Sequence, residues 1–390
     1  MERKVLQLRL SKKAQFSCLS LAACMGMAML LQPTNAHAIA GACVSCHTMH
    51  NSQNALPMAT DALGNPDTTA NDQLLLGADC LACHTGTNEF VGGTDTTPFV
   101  TDVGAGPTYG VGDGGTLAGG SFYYTIASDA AGHNVVGVAG LDTAAGTATG
   151  LVPPGGLTLA SQLTCAGTTG CHGVRTTAGD MAAINGSHHA NVNGSLYGGT
   201  VVDSGSSYRF LDGVQGFEDP DYEATAVRAT TDHNGYYGVD RADDAIATVD
   251  VTTVSALCAQ CHSAFHNDAG TTSLADPGIQ GSGVVMTSPW IRHPTDFDMS
   301  NAANVEYAGY ADYEIDAPVG NSTAFATQNL ILGAGIAGQE RVVICMSCHR
   351  AHGSPYDDAL RWDYTEMTVG NAGAGAGTGC FQCHTAKDGI

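Results

Sequence analysis

Basic side chains are scarce. Lys and Arg together number 14 against 37 Asp and Glu in 390 residues, a formal net charge of −23. Nucleic acids and anionic membrane surfaces are bound through clustered Lys and Arg, so this balance argues against both as partners. Aromatic residues are also few, at 6% of the chain with 2 Trp, whereas Gly numbers 51. Such material is poor for a large close-packed core of side chains, and something else must fill the interior. Past Leu31 no stretch approaches the roughly 20 apolar residues that cross a bilayer. Cysteine is the exception to this poverty. Its 14 copies are too many for an ordinary cytosolic enzyme and imply disulfides, metal sites or covalently held groups.

The first 38 residues read as an export signal. Arg3, Lys4, Arg9, Lys12 and Lys13 form a basic leader, an apolar run extends from Ala14 to Leu31, and Ala36-His37-Ala38 supplies a small-x-small cleavage site. The mature chain is expected to begin at Ile39. Leu21-Ala22-Ala23-Cys24 offers a lipoprotein alternative with Cys24 lipidated, but the apolar run continues past Cys24. Loss of the leader leaves 9 basic and 36 acidic groups, a net of −27, with Lys387 as the only lysine. The expected product is exported through the periplasm to the outer surface or beyond, and is water-soluble.

Ten of the twelve mature cysteines fall into five copies of C-x-x-C-H: Cys43 and Cys46 with His47, Cys80 and Cys83 with His84, Cys258 and Cys261 with His262, Cys345 and Cys348 with His349, Cys380 and Cys383 with His384. This is the attachment pattern of c-type haem. Two thiols one helical turn apart form thioethers with the two vinyl groups, and the imidazole directly after the second thiol reaches the iron. A zinc reading needs pairs of motifs to share ions and gives no reason for a His after every second Cys. The remaining pair, Cys165 and Cys171, is followed by His172, with Ala-Gly-Thr-Thr-Gly between the thiols. A small flexible insert can loop out while both sulfurs still reach the vinyls, so a sixth haem is expected; the alternative is a disulfide closing a short loop.

Six proximal histidines require six distal ligands. Eight further mature histidines exist: His50, His133, His188, His189, His233, His266, His293 and His352. Bis-histidine, low-spin haems closed to substrates are therefore expected. The seven mature methionines, the competing ligand type, show no regular offset from the motifs. His50, His266 and His352 stand three or four residues after His47, His262 and His349. Residues so spaced share a helix face, whereas the two axial ligands of one iron lie on opposite porphyrin faces, so each of these three must serve a different haem. A solvent-exposed histidine beside a propionate is the plainer alternative for any one of them. His133 and His293 must return by tertiary folding, and one of His188 and His189 is favoured over His233 for the last place.

Six haems in 352 mature residues leave about 59 residues each, too few for independent domains. The expected fold is one domain over 39–390, mostly irregular coil with short α-helices and little β, organised around a continuous chain of haems. Its Gly-, Thr- and Ala-rich stretch 91–160 reads as an irregular surface excursion.

Several blocks resemble the OmcS-type extracellular hexahaem cytochromes: Cys46-His47-Thr48-Met49-His50-Asn51-Ser52, Leu74-Leu75-Leu76-Gly77, Gly132-His133-Asn134, Tyr208-Arg209-Phe210-Leu211, Arg292-His293-Pro294 and Cys348-His349-Arg350-Ala351-His352. The third motif departs from the family, with C-x5-C-H followed by Gly173 and Val174 where a second His is usual, which moves that ligand to His188 or His189. The resemblance implies all-bis-histidine ligation, a serpentine haem chain and head-to-tail polymerisation into conducting filaments. It also implies that His50 is donated to the fifth haem, on His349, of the adjacent subunit. Electron transfer from upstream surface cytochromes to external acceptors follows as the expected function. A monomeric shuttle and a multihaem reductase are the alternatives; no haem motif here lacks its His, as an open catalytic site often would.

The intact mass of the denatured secreted protein should show six covalent haem increments on a chain beginning at Ile39. Five increments together with a Cys165–Cys171 disulfide would reject the sixth site.

Overall fold

The computed structural model describes residues 47–52, 54–59, 66, 76–77, 79–86, 98–101, 117–142, 150–155, 158–184, 210–217, 223, 233–240, 251–262, 293, 295–301, 307, 309–310, 313–322, 340–368 and 378–385. The expected leader, and with it Cys43, Cys46, His188, His189 and His266, lies outside the described residues.

The described chain is mostly coil, as its composition predicts. Its helices are one turn or little more: α1 Tyr123–Ala127, α2 Asp180–Ala183, α3 Val254–Ala259 and α4 Cys380–Cys383. Its strands hold two or three residues each. β1 Thr164–Ala166 pairs in parallel with β2 Gly170–His172. Five others, β3 Gly216–Phe217, β4 Gly235–Tyr237, β5 Phe297–Asp298, β6 Gly320–Asn321 and β7 Val342–Val343, form a sheet of order β3-β4-β6-β7-β5. The β4–β6 pair is parallel and the other three are antiparallel.

Successive strand residues point to opposite faces, and β7 shows the consequence. Val343 joins Met299, Tyr310, Tyr313, Ala317 and Val319 on one side. Val342 joins Val214, Tyr236, Val254, Ile344 and Met346 on the other. Two small apolar clusters thus grip the strand that runs directly into Cys345. Tyr310 completes the first cluster by donating its hydroxyl to the Ala317 carbonyl at 2.8 Å.

A buried ionic cluster joins segments that are distant in sequence. Glu223 accepts from Arg350 at 3.0 Å and from Arg361 at 2.8 Å. Arg350 also donates to the Leu117 carbonyl (2.9 Å), and Arg361 donates to the carbonyls of Met346 (2.7 Å), Ile315 (2.9 Å) and Ala118 (3.2 Å). Burial alone would push the Glu223 carboxyl up, but the two guanidiniums outweigh it and hold the group below the ordinary carboxylate range.

Part of the stretch 91–160 departs from the expected surface excursion. Leu117, Ala118, Phe122, Ala131 and Val135 are buried. The glycines there serve close approach: Gly120 sits at φ +78°, and a Cβ on it would lie 2.0 Å from the Gly353 carbonyl oxygen. At Gly120 and Gly132, backbone packs on the backbone of residues 352–353.

Glu223→Ala would leave two buried guanidiniums without their counter-charge, a change that costs about 3–5 kcal/mol. Chemical denaturation of the holoprotein should show that loss at neutral pH. Because the folded carboxyl is depressed, its contribution is present above the ordinary carboxylate pKa and disappears as pH falls through the folded value. The wild-type and variant curves should therefore converge in acid.

Candidate functional site

The four described C-x-x-C-H motifs share one backbone device. In each, the histidine N–H donates to the carbonyl of the first cysteine: His84 to Cys80 at 2.9 Å, His262 to Cys258 at 3.0 Å, His349 to Cys345 at 3.1 Å and His384 to Cys380 at 2.9 Å. This single helical turn sets the two cysteines on one side and projects the imidazole from the end of the turn. The supports differ. Thr253 caps α3 by accepting from the Ala256 N–H at 3.0 Å, Asp79 does the same for the Ala82 N–H at 2.9 Å, and β7 leads into the third of these turns.

Cys165 and Cys171 reach a similar disposition by another route. The turn Gly167–Thr169 folds the insert back so that Thr164 pairs with Gly170 and Ala166 with His172. That register sets Cys165 alongside Cys171, at the roughly 4.8 Å spacing of adjacent strands. A helical turn holds side chains three apart at about 5–6 Å, so a short strand pair does here what the turn does elsewhere. None of the ten described cysteines is in a disulfide. The Cys80 and Cys165 sulfurs lie within 4.8 Å of each other and of the Asp180 carboxylate, and the Cys258 and Cys345 side chains also meet.

Imidazoles remote in sequence are brought close together, two pairs with tilted rings and one edge-on. His133 stands 6.0 Å from His262, His172 stands 6.2 Å from His352, and His293 stands 6.1 Å from His384, ring centre to ring centre. Two metal–imidazole bonds of about 2 Å, each to a ring nitrogen about 1 Å from its ring centre, span roughly 6 Å. Each pair joins a motif histidine to one outside that motif. His352 faces His172 and not its neighbour His349.

Hydrogen bonds fix which ring nitrogen faces inward. Nδ1–H donates to a backbone carbonyl in His84 (Pro98, 2.7 Å), His262 (Pro154, 2.8 Å), His349 (Asp358, 2.8 Å), His133 (Ala351, 2.6 Å) and His352 (Gly120, 3.3 Å). A carbonyl only accepts, so Nδ1 carries a proton, and in the neutral ring Nε2 keeps its lone pair for a metal. Burial pushes His352 down to about 3, with the facing His172 adding to the effect. It pushes His262 down to about 4, with His133 adding to it. Neutral imidazole is the form that ligates. Cysteine pairs, oriented imidazoles and a ring spacing that two metal bonds would span all fit c-type haem.

The remaining site residues divide. His50 is exposed, and so are the neighbouring Met49, Leu56 and Met58. No imidazole among the described residues faces His349 as the three pairs face each other. His233, the competing distal candidate, packs in the core with its ring stacked on Tyr313 at 3.6 Å and its Nδ1–H donating to the Asn234 carbonyl at 2.7 Å.

The family description "Doubled CXXCH motif" matches residues 336–389, which contain the motifs at Cys345 and Cys380. The chain is 26% identical over 374 residues to the C-type cytochrome OmcS of Geobacter sulfurreducens, covering 85% of this chain and 81% of that one. This chain is its homologue. It binds c-type haem. Among solved structures, it aligns with the Outer Membrane Cytochrome S filament from Geobacter sulfurreducens at a TM-score of 0.44 and 20% identity, over 84% of each chain. A cryo-EM structure of the OmcS nanowires aligns at 0.43 and 20%, over 83% of this chain and 84% of that one.

Replacing His352 with Ala should produce one high-spin haem by magnetic circular dichroism. The affected haem should be the one attached to the peptide carrying Cys171 and His172. Loss of low-spin character at the Cys345–Cys348 haem instead would contradict the pairing.

Proposed function

We propose that this chain is an extracellular electron carrier that holds six haems along a continuous path and polymerises head to tail, passing electrons to external acceptors. Haem c supplies one-electron chemistry; the protein supplies attachment, axial ligands and spacing. His133 with His262, His172 with His352, and His293 with His384 complete three irons. His266 and one of His188 and His189 remain for the haems on His47 and His84. Saturating the irons with imidazole leaves no position for a substrate, which favours a carrier over a reductase.

The observation that carries the polymer reading is a mismatch within one chain. His349 has no facing imidazole among the described residues, while His50 is exposed on a segment that also exposes Met49 (80%) and Leu56 (66%). An oriented proximal histidine at one place and an unengaged distal one at another suit ligation between copies. Such a contact uses two different surfaces and extends into an open filament when its rotation does not close a ring. The apolar side chains around His50 give it a patch to bury. An iron–imidazole bond at every junction also opposes the repulsion between chains of net charge −27.

His50→Ala should yield monomers or short oligomers by electron microscopy, with one high-spin haem per subunit. Unchanged filaments with every haem low-spin would reduce His50 to a surface histidine. Monomeric wild-type protein would favour the shuttle, and cyanide binding to a resting haem would favour the reductase.

A further inference from the structure

The charges built into the haem turns differ in sign from one motif to another. At the Cys345–His349 turn the buried groups are guanidiniums. Arg361 donates from Nε to the Met346 carbonyl within the motif at 2.7 Å, and its backbone N–H donates to the Cys348 carbonyl at 2.9 Å. Arg350 follows His349 directly. Glu223 neutralises one of the two charges, so the cluster retains one net positive charge in a site where side-chain exposure is 6% or less. Of the acidic groups nearby, Asp357 and Asp358 are exposed and screened by water and salt, while the buried Asp296 lies near the Cys258 thiol that meets Cys345 and is not part of the arginine cluster. The Cys80–His84 turn is the reverse. The Asp79 carboxylate accepts from the Ala82 N–H inside the turn at 2.9 Å, and the Asp180 carboxylate lies within 4.8 Å of the Cys80 and Cys165 sulfurs.

We propose that these fixed charges build a gradient of reduction potential into each subunit, with the haem at Cys345–His349 more readily reduced than the haem at Cys80–His84. This rests on the assignment of haems to both motifs. Adding an electron removes one positive charge from ferric haem. A fixed positive charge therefore favours the reduced form, and a fixed negative charge favours the oxidised form. A net charge in a poorly hydrated site some 10 Å away changes the reduction equilibrium constant by roughly tenfold. The gradient runs downhill for electrons toward the haem that the proposed function places at the subunit boundary. Arg361, Arg350, Glu223 and Asp79 are positioning and tuning residues in this scheme, since none supplies an axial ligand.

The test is a spectroelectrochemical titration of the full mature holoprotein, resolved into one-electron components. Arg361→Gln should lower the high-potential end by about tenfold in the reduction equilibrium constant, or about 59 mV for a one-electron couple. Glu223→Gln, which raises the cluster's net positive charge, should move the same end upward. Asp79→Asn, a mild change in a half-buried turn, should raise the low-potential end and keeps the test open if a buried variant does not fold. Shifts of the same sign in Arg361→Gln and Glu223→Gln would overturn the proposal. An unmoved low-potential end in Asp79→Asn, with all haems low-spin, would do the same. Peptide mapping separates the two levels of failure. A Cys345–His349 or Cys80–His84 peptide without haem would overturn the assignment itself, whereas haem present with unmoved potentials would overturn only the gradient.

Discussion

The gap of about 6 Å between imidazoles from distant segments is the constraint on which the rest of this structure depends. Each such gap fixes two backbone stretches relative to one another, and three recur among the described residues. Side-chain packing alone could not set them. Among the described residues the strands hold two or three residues, the helices at most six, and the two apolar clusters six buried residues each. With so little regular structure among the described residues, cross-links of chemically specified length would give such a chain its definition, as they do in small metal-dependent domains. Helical turns at the motifs, carbonyls that accept from Nδ1 and glycines that let residues 119–132 lie against 350–354 all serve to deliver rings to those gaps.

The local part of this arrangement was legible in the sequence. C-x-x-C-H is self-contained: the turn that presents two thiols and an imidazole spans five residues, and four described copies form it with the same hydrogen bond. The opposed-face argument for His352 also rests on local geometry, and the structure sets that ring against His172 instead of the His349 haem turn. Coil dominance followed from composition, because scarce aromatics and abundant glycine supply neither a large core nor sustained periodicity.

What escaped the sequence is non-local. Nothing in the spacing of His133 or His293 identifies the motif histidine each one faces, since that depends on the path of the intervening chain. The cluster of Glu223 with Arg350 and Arg361 gives no periodic signal; an isolated acid and two arginines in an acidic chain read as surface residues until folding buries them together. The segment 117–135 was misleading for a physical reason. Glycine signals looseness when it is solvated and tight contact when another backbone lies against it, and composition does not distinguish the two. The short parallel pair that sets Cys165 beside Cys171 was likewise unreadable, because three-residue strands lie below the length at which alternation appears.

We propose that iron, held between paired imidazoles, organises the chain. That role of iron is tested most directly by an experimental density map of the secreted holoprotein at a resolution that separates porphyrin from side chains. An iron is expected midway between Nε2 of His133 and His262, of His172 and His352, and of His293 and His384, each porphyrin joined to the cysteines of the motif histidine in its pair. Density showing these imidazoles bonded to one another or to protein groups, with the irons ligated elsewhere, would contradict it.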